Sequence, residues 1–254
     1  MKGHIAAMLG TLLVLHANPS PAADPGPSQT GGPKLEVPET AFDYGYTSQN
    51  VKVAHVFWLK NSGTDTLKLK DVRPGCGCTK APLKKKALAP GDSTDVEMTF
   101  STGSYSMFVR KSSTIQLESP GAPPPLLDFT AYPTPKPDSL RPLTFTPMGL
   151  NLDTVKKTPS TQAWNFRVRV KNWSNHDLRI HQVSPALSRI KIETPSGAIA
   201  AGSEAALRIR IDAELADSTF SKSVTFEVSD SLHTRYTLPI GNEPPATGRP
   251  PVAH

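Results

Sequence analysis

Residues 57–100 read FWLKNSGTDTLKLKDVRPGCGCTKAPLKKKALAPGDSTDVEMTF. Both ends alternate apolar and polar residues with a period of two, the pattern of strands that bury one face. Val53, His55, Phe57 and Leu59 fall on one side of the first strand, and Val96, Met98 and Phe100 on one side of the last. Between them, Asn61-Ser62-Gly63 and Pro90-Gly91 are turn sequences, and Leu67–Val72 is a further strand. The chain's only two cysteines, Cys76 and Cys78, sit in the middle. Ile115 and Leu117 continue the alternation downstream, as do Leu127, Phe129 and Ala131. Leu35–Val37 adds a short piece upstream, and Ser-Pro-Gly at 119–121 another turn. Sheets that are apolar on one side must close on each other, so the segment 34–133 is expected to be a β-sandwich.

The same pattern returns at a fixed offset of 111 residues. Lys60-Asn61 corresponds to Lys171-Asn172, Leu67 to Leu178, Leu69 to Ile180 and Gly91 to Gly202. Val96, Met98 and Phe100 correspond to Leu207, Ile209 and Ile211, and Leu117 to Val228. An ungapped match of apolar positions and of one turn glycine implies one fold used twice. The fold class is therefore all-β, two tandem β-sandwiches at 34–133 and 143–241, joined by a proline-rich linker at 134–142 (TPKPDSLRP). In the second copy Trp164, Phe166, Val168 and Val170 are expected to face inward. Asn172-Trp173-Ser174 fits a glycosylation sequon, but its match to the first copy's turn marks Asn172 as a turn residue.

At 254 residues the chain is long enough for two such domains and two tails. Lys2, the apolar run from Ile5 to Ala17 and the small residues Ser20–Ala23 have the order of an export signal, expected at 1–23. The run is shorter than the roughly 20 residues a membrane-spanning helix needs. An exported, periplasmic or secreted protein is the expectation, with a disordered leader at 24–33 and a disordered tail at 242–254.

HVFWLKNSGTDTLKLKDV, GCGCT and LAPGDSTDVEMTF together resemble the bacterial exported domain-of-unknown-function family 1573, marked by a Cys-Gly-Cys-Thr signature. That family is similar to the Hydin-type (ASH), major sperm protein and pilus-chaperone immunoglobulin-like sandwiches. The resemblance covers about Phe42 to Leu117, and it implies an immunoglobulin-like fold with no known catalysis. The second copy has Leu187-Ser188-Arg189 where the first has its cysteines, so whatever the signature does is expected once per chain.

Four states are open to Cys76 and Cys78. Residues i and i+2 of an extended strand lie about 7 Å apart, too far for a disulfide, unless Gly75 and Gly77 bend the backbone. Otherwise both thiols stay reduced as small apolar groups, pair with another chain, or bind Cu(I) or Zn(II) as thiolates. His55 and Met98, both on inward faces, would join them as donors only if the fold brings them near. No cofactor is expected apart from that metal alternative.

The formal charge is +6. Lys84-Lys85-Lys86 is expected in a loop that keeps a strand edge from pairing. Arg167, Arg169 and Lys171 alternate outward on one strand, and Arg208 and Arg210 on another; as neighbours they would form a patch for an anionic partner. Catalytic motifs are missing: no nucleophile elbow, phosphate-binding loop, HExxH or dinucleotide fingerprint occurs. A non-enzymatic binding or scaffolding protein is the leading expectation, its partner another envelope protein or an anionic surface. A thiol-redox or metal protein and a purely structural envelope component are the alternatives. Nucleic acid is not expected, because basic residues are not interleaved with aromatics.

Overall fold

The computed structural model describes residues 31–118, 125–154, 163–217 and 219–242. The expected export signal lies outside the described residues, as do the 119–121 turn and most of the leader and tail. Among the described residues the chain is all-β, built as two sandwiches. Its first nine strands are β1 (Leu35–Glu36), β2 (Ala41–Ser48), β3 (Lys52–Asn61), β4 (Leu67–Pro74), β5 (Thr79–Lys80), β6 (Ala87–Leu88), β7 (Ser93–Ser101), β8 (Val109–Leu117) and β9 (Leu126–Thr134). Eight more follow: β10 (Leu143–Thr146), β11 (Leu150–Asn151), β12 (Ala163–Asn172), β13 (Ile180–Gln182), β14 (Ile190–Glu193), β15 (Glu204–Asp212), β16 (Ser221–Val228) and β17 (Arg235–Gly241). Among the described residues no helix is long and apolar enough to cross a membrane.

Two hydrophobic cores form where the alternation places them. One gathers Phe57, Leu59, Leu69, Val96, Met98, Phe100, Ile115 and Phe129; the other gathers Phe145, Val168, Val170, Leu207, Ile209, Ile211, Phe226 and Leu238. Around the first core, the sheet β1-β3-β7-β5 packs on β2-β9-β8-β4. Around the second, β10-β12-β15-β14 packs on β13-β16-β17. Trp164 and Phe166 are only partly buried against their core, unlike Val168 and Val170.

The offset of 111 is structural as well as sequential. Phe57 pairs with Val96 across β3 and β7, and Val168 pairs with Leu207 across β12 and β15. Ser113 pairs with Leu127 as Val224 pairs with Leu238, extending the register to the last strand. Each copy is pinned by a buried asparagine. Asn61 donates to the carbonyls of Asp65 (2.8 Å) and Leu88 (2.9 Å), and its Oδ1 accepts from the Gly63 N–H (3.0 Å). Asn172 donates to His176 (2.9 Å) and Ile199 (2.8 Å) and accepts from Ser174 (2.9 Å). Gly91 and Gly202 both adopt positive φ, 83° and 65°, in the equivalent turn, where a side chain would be strained.

The copies are not beads joined only by a linker. β2, in the first copy, pairs in parallel with β17 of the second through Tyr46 and Tyr236, so one sheet runs through both cores. Gly45 (φ 61°) makes this possible, because a Cβ there would overlap the carbonyl of Arg235. Start of β16 lies against the first copy: the Ser223 hydroxyl accepts from the Ala54 N–H (2.9 Å) and donates to the Ala54 carbonyl (2.8 Å). Lys222 forms an ion pair with Glu97. An edge group of β3 that would otherwise be open to another strand is thereby satisfied.

Candidate functional site

Two places in this framework carry side chains that folding does not account for: the outer face of β12, β15 and β14, and the loop between β4 and β5.

On the outer face, β12 and β15 are hydrogen-bonded neighbours, and their register sets Arg167 opposite Arg208 and Asn165 opposite Arg210. β14 adds Lys191 opposite Arg210 and Glu193 opposite Arg208. Like charges directly opposite each other in a sheet destabilise it. Glu193 is engaged by Lys191 (3.2 Å), and among the described residues no carboxylate is in ion-pair range of Arg167, Arg208 or Arg210. The other two residues of the expected patch are occupied locally. Arg169 faces Glu204 at 3.8 Å; Lys171 donates to the Gly202 carbonyl, with its ammonium 5.5 Å from the Trp173 ring centroid. The residues left over line a shallow hollow of about 320 Å³ formed by Asn165, Arg167, Lys191, Glu193, Arg208 and Arg210. Lys191 and Glu193 lie on a strand of only four residues, Ile190–Glu193, which the sequence reading passed over.

The equivalent face of the first copy is partly covered. By the 111-residue offset, Arg167, Arg208 and Arg210 stand where the first copy has Val56, Glu97 and Thr99. There the segment Thr219–Lys222 of the second copy borders Glu97, Thr99 and Ser101, with Lys222 on Glu97. The first copy thus presents an anion to a cation on that face, and the second copy presents cations to solvent.

In the β4–β5 loop, Cys76 and Cys78 are joined in a disulfide with their Cα atoms 5.3 Å apart. Of the four states, this is the bridged one. The flanking backbone is tied on both sides: Gly75 donates to the Ser112 carbonyl (2.9 Å), and Ser101 donates to the Cys78 carbonyl (2.8 Å). Neither glycine has positive φ. Gly75 eases a close approach instead, since a Cβ there would sit a tight 3.1 Å from the Ser112 carbonyl, whereas one at Gly77 would meet nothing within 4 Å. Both cysteines are half-buried, and Cys78 packs on the first core. The hydroxyl of Thr79, itself 4% exposed, lies 3.5 Å from the Cys76 sulfur and 3.9 Å from that of Cys78.

His55 and Met98 do not join the cysteines. They pair with each other across β3 and β7, and the His55 Nε2 is bonded to Glu39 (2.9 Å) while its ring stacks on Phe42 with centroids 3.6 Å apart. Burial drives the His55 pKa down, only partly offset by Glu39. Among the described residues no three His, Cys, Asp or Glu side chains form a group able to hold a metal ion. The Asn172 side chain is spent on the turn, and Lys84–Lys86 lies in a loop where Lys84 pairs with Asp95.

Residues 35–130 match the model of the family described as Protein of unknown function (DUF1573). The DUF1573 match spans β1 through most of β9, hence the first core and the disulfide loop, and ends before the second copy. No curated protein matches the sequence. Among solved structures, a protein of unknown function from Porphyromonas gingivalis W83 is similar with a TM-score of 0.34 and 11% identity, over 82% of this chain and 99% of that one. The E. coli chaperone DraB aligns over 83% of this chain and 98% of its own, at TM-score 0.31 and 11% identity. The ASH/PapD-like domain 7 of human CEP192 aligns over 47% and 96%, at TM-score 0.30 and 13% identity.

Proposed function

We propose that the protein is an exported, non-catalytic binding module that takes an acidic, extended protein segment on the open face of β12, β15 and β14. The observation that carries this reading is the inversion of charge between equivalent faces. Glu97 in the first copy receives Lys222 from its own chain; Arg208 in the second copy, with Arg167 and Arg210 beside it, is suited to a carboxylate from another chain. The way the first copy is covered supplies the geometry of the partner. A strand end lies across the sheet, a hydroxyl satisfies the edge group at Ala54, and a charged side chain reaches the next strand. An acidic residue in place of Lys222 is the complement for the second copy. The order of the first 23 residues supports export, and the missing catalytic motifs support binding rather than turnover.

The test uses the full mature chain and an extended peptide of alternating glutamate and serine as probe. Binding is expected to weaken with salt, because the contacts are between exposed charges. The Arg167→Ser/Arg208→Ser variant should bind roughly tenfold or more weakly, equivalent to about 1.4 kcal/mol or more. Unchanged affinity in that variant refutes the site. Binding to anionic phospholipid vesicles but not to the peptide refutes the class of partner.

A further inference from the structure

We propose that the Cys76–Cys78 disulfide is a thiol–disulfide exchange site that accepts two electrons from a protein or peptide dithiol. This function is separate from the basic face and does not depend on it.

The second copy is a built-in control for what the bridge does to the fold. Thr79 pairs with Phe100 at the start of β5, and its counterpart Ile190 pairs with Ile211 at the start of β14. The chain therefore re-enters the sheet at the same register whether the preceding turn is Cys76-Gly77-Cys78 or Leu187-Ser188-Arg189. In the second copy the turn is made by Arg189 at φ 64° and a bridge between Leu187 and Ile190. Folding does not need sulfur at this place. Nor does the bridge restrain much chain, because the stabilisation expected of a cross-link grows with the loop it closes, and this one spans a single intervening residue.

What the bridge does have is access and a hydrogen-bond donor. Cys76 is only half-buried and Gly77 beside it is exposed, so the ring lies at the surface where a thiolate can arrive. Cys78 packs on the core, which leaves the Cys76 sulfur as the one to attack. The Thr79 hydroxyl is held in place by burial and lies within sulfur hydrogen-bond range of both cysteines, where it can donate to the departing Cys78 thiolate. Arg73 and Lys80, both exposed, flank the loop and make its surroundings cationic, which favours thiolate leaving groups.

The step balances as follows. A substrate thiolate forms a bond to the Cys76 sulfur, the Cys76–Cys78 bond breaks, and Cys78 leaves as a thiolate. The substrate's second thiolate then attacks the substrate sulfur of the mixed disulfide, and Cys76 leaves. The substrate dithiol is oxidised to a disulfide, the protein bridge is reduced, and the two protons of the substrate thiols end on Cys76 and Cys78.

The probe is a synthetic peptide carrying two cysteines, reduced, mixed with the oxidised full chain and followed by mass spectrometry after thiol alkylation. One peptide disulfide should appear for each pair of protein thiols formed, and Thr79→Val should slow the exchange by about tenfold through loss of the donor. Offered the peptide as its disulfide, Cys78→Ala should retain it as a mixed disulfide at Cys76. The Cys76→Ala/Cys78→Ala variant should fold and melt close to the parent. A bridge that stays oxidised in excess reduced peptide overturns the proposal. So does a double-alanine variant that loses its fold, since the bridge would then be structural.

Discussion

Asn61→Ala and Asn172→Ala test whether the repeat is held by one device used twice. Each side chain is fully buried and spends its hydrogen bonds on backbone atoms of the turn it closes. Truncation frees the exposed carbonyls of Asp65 and His176 to water at little cost. The buried carbonyls of Leu88 and Ile199 each lose a donor, although Ile199 keeps the Leu178 N–H (3.0 Å) and Leu88 stays paired with Leu67, and the N–H groups of Gly63 and Ser174 lose their acceptor. At about 1 kcal/mol net per bond, the loss of these three bonds should make each substitution cost about 3 kcal/mol. That is about 6–12 °C in Tm for a chain of this size. Urea unfolding followed by far-UV circular dichroism, with calorimetry for Tm, measures it. Because β2 and β17 join the two cores in one sheet, the transition should remain single, and the costs in the double variant should add to about 6 kcal/mol. The reasoning fails if either single variant costs less than about 1 kcal/mol. It also fails if unfolding splits into two steps, since the shared sheet would then not couple the cores.

Other expectations follow from the junction and from the buried histidine. Gly45→Ala places a Cβ against the Arg235 carbonyl, a backbone atom that cannot yield, so β2 and β17 should part; limited proteolysis should then cut between the copies sooner than in the parent. Ser223→Ala leaves the Ala54 N–H and carbonyl without a partner in a buried setting and should cost about 1–3 kcal/mol, with faster amide exchange at Ala54 by nuclear magnetic resonance. His55 has its pKa lowered in the folded chain, chiefly by burial, so the unfolded chain binds the proton more readily. Stability should be full above the ordinary histidine value of about 6.5 and fall as pH drops from there through the lower folded value. His55→Leu should remove that slope in denaturation midpoints measured between pH 5 and 8.

Much of the architecture was legible because it rests on local rules. Period-two alternation places Phe57, Leu59, Val96, Met98 and Phe100 inward, and the 111-residue match locates Asn172 and Gly202. The joining of the two copies was not legible. It depends on Gly45 at a bulge in β2 and on Tyr46 meeting Tyr236, a pairing between strands separated by most of the chain. A glycine signals that a backbone comes near, not which one. The basic face was half legible. Alternation puts Arg167 and Arg208 outward, but register alone decides that they stand opposite each other, and register depends on turn geometry. The disulfide was left among four states because the extended spacing argued against it, and the contraction to 5.3 Å comes from the turn at 75–78, which alternation cannot describe.

Duplication turns the chain into its own reference. Positions that both copies keep, the buried asparagine, the turn glycine and the paired core residues, are those that folding demands. Where equivalent exposed positions differ, the cause must lie in what each copy touches. Glu97 is explained within the chain, by Lys222. For Arg208 the cross-strand Glu193 is drawn to Lys191 and no carboxylate among the described residues is in ion-pair range, while Arg167 stands opposite on the other side. A stability cost that the first copy avoids at the same address argues for a negative charge arriving from outside. The sulfur follows the same logic in the other direction, because the second copy shows that the turn closes without it.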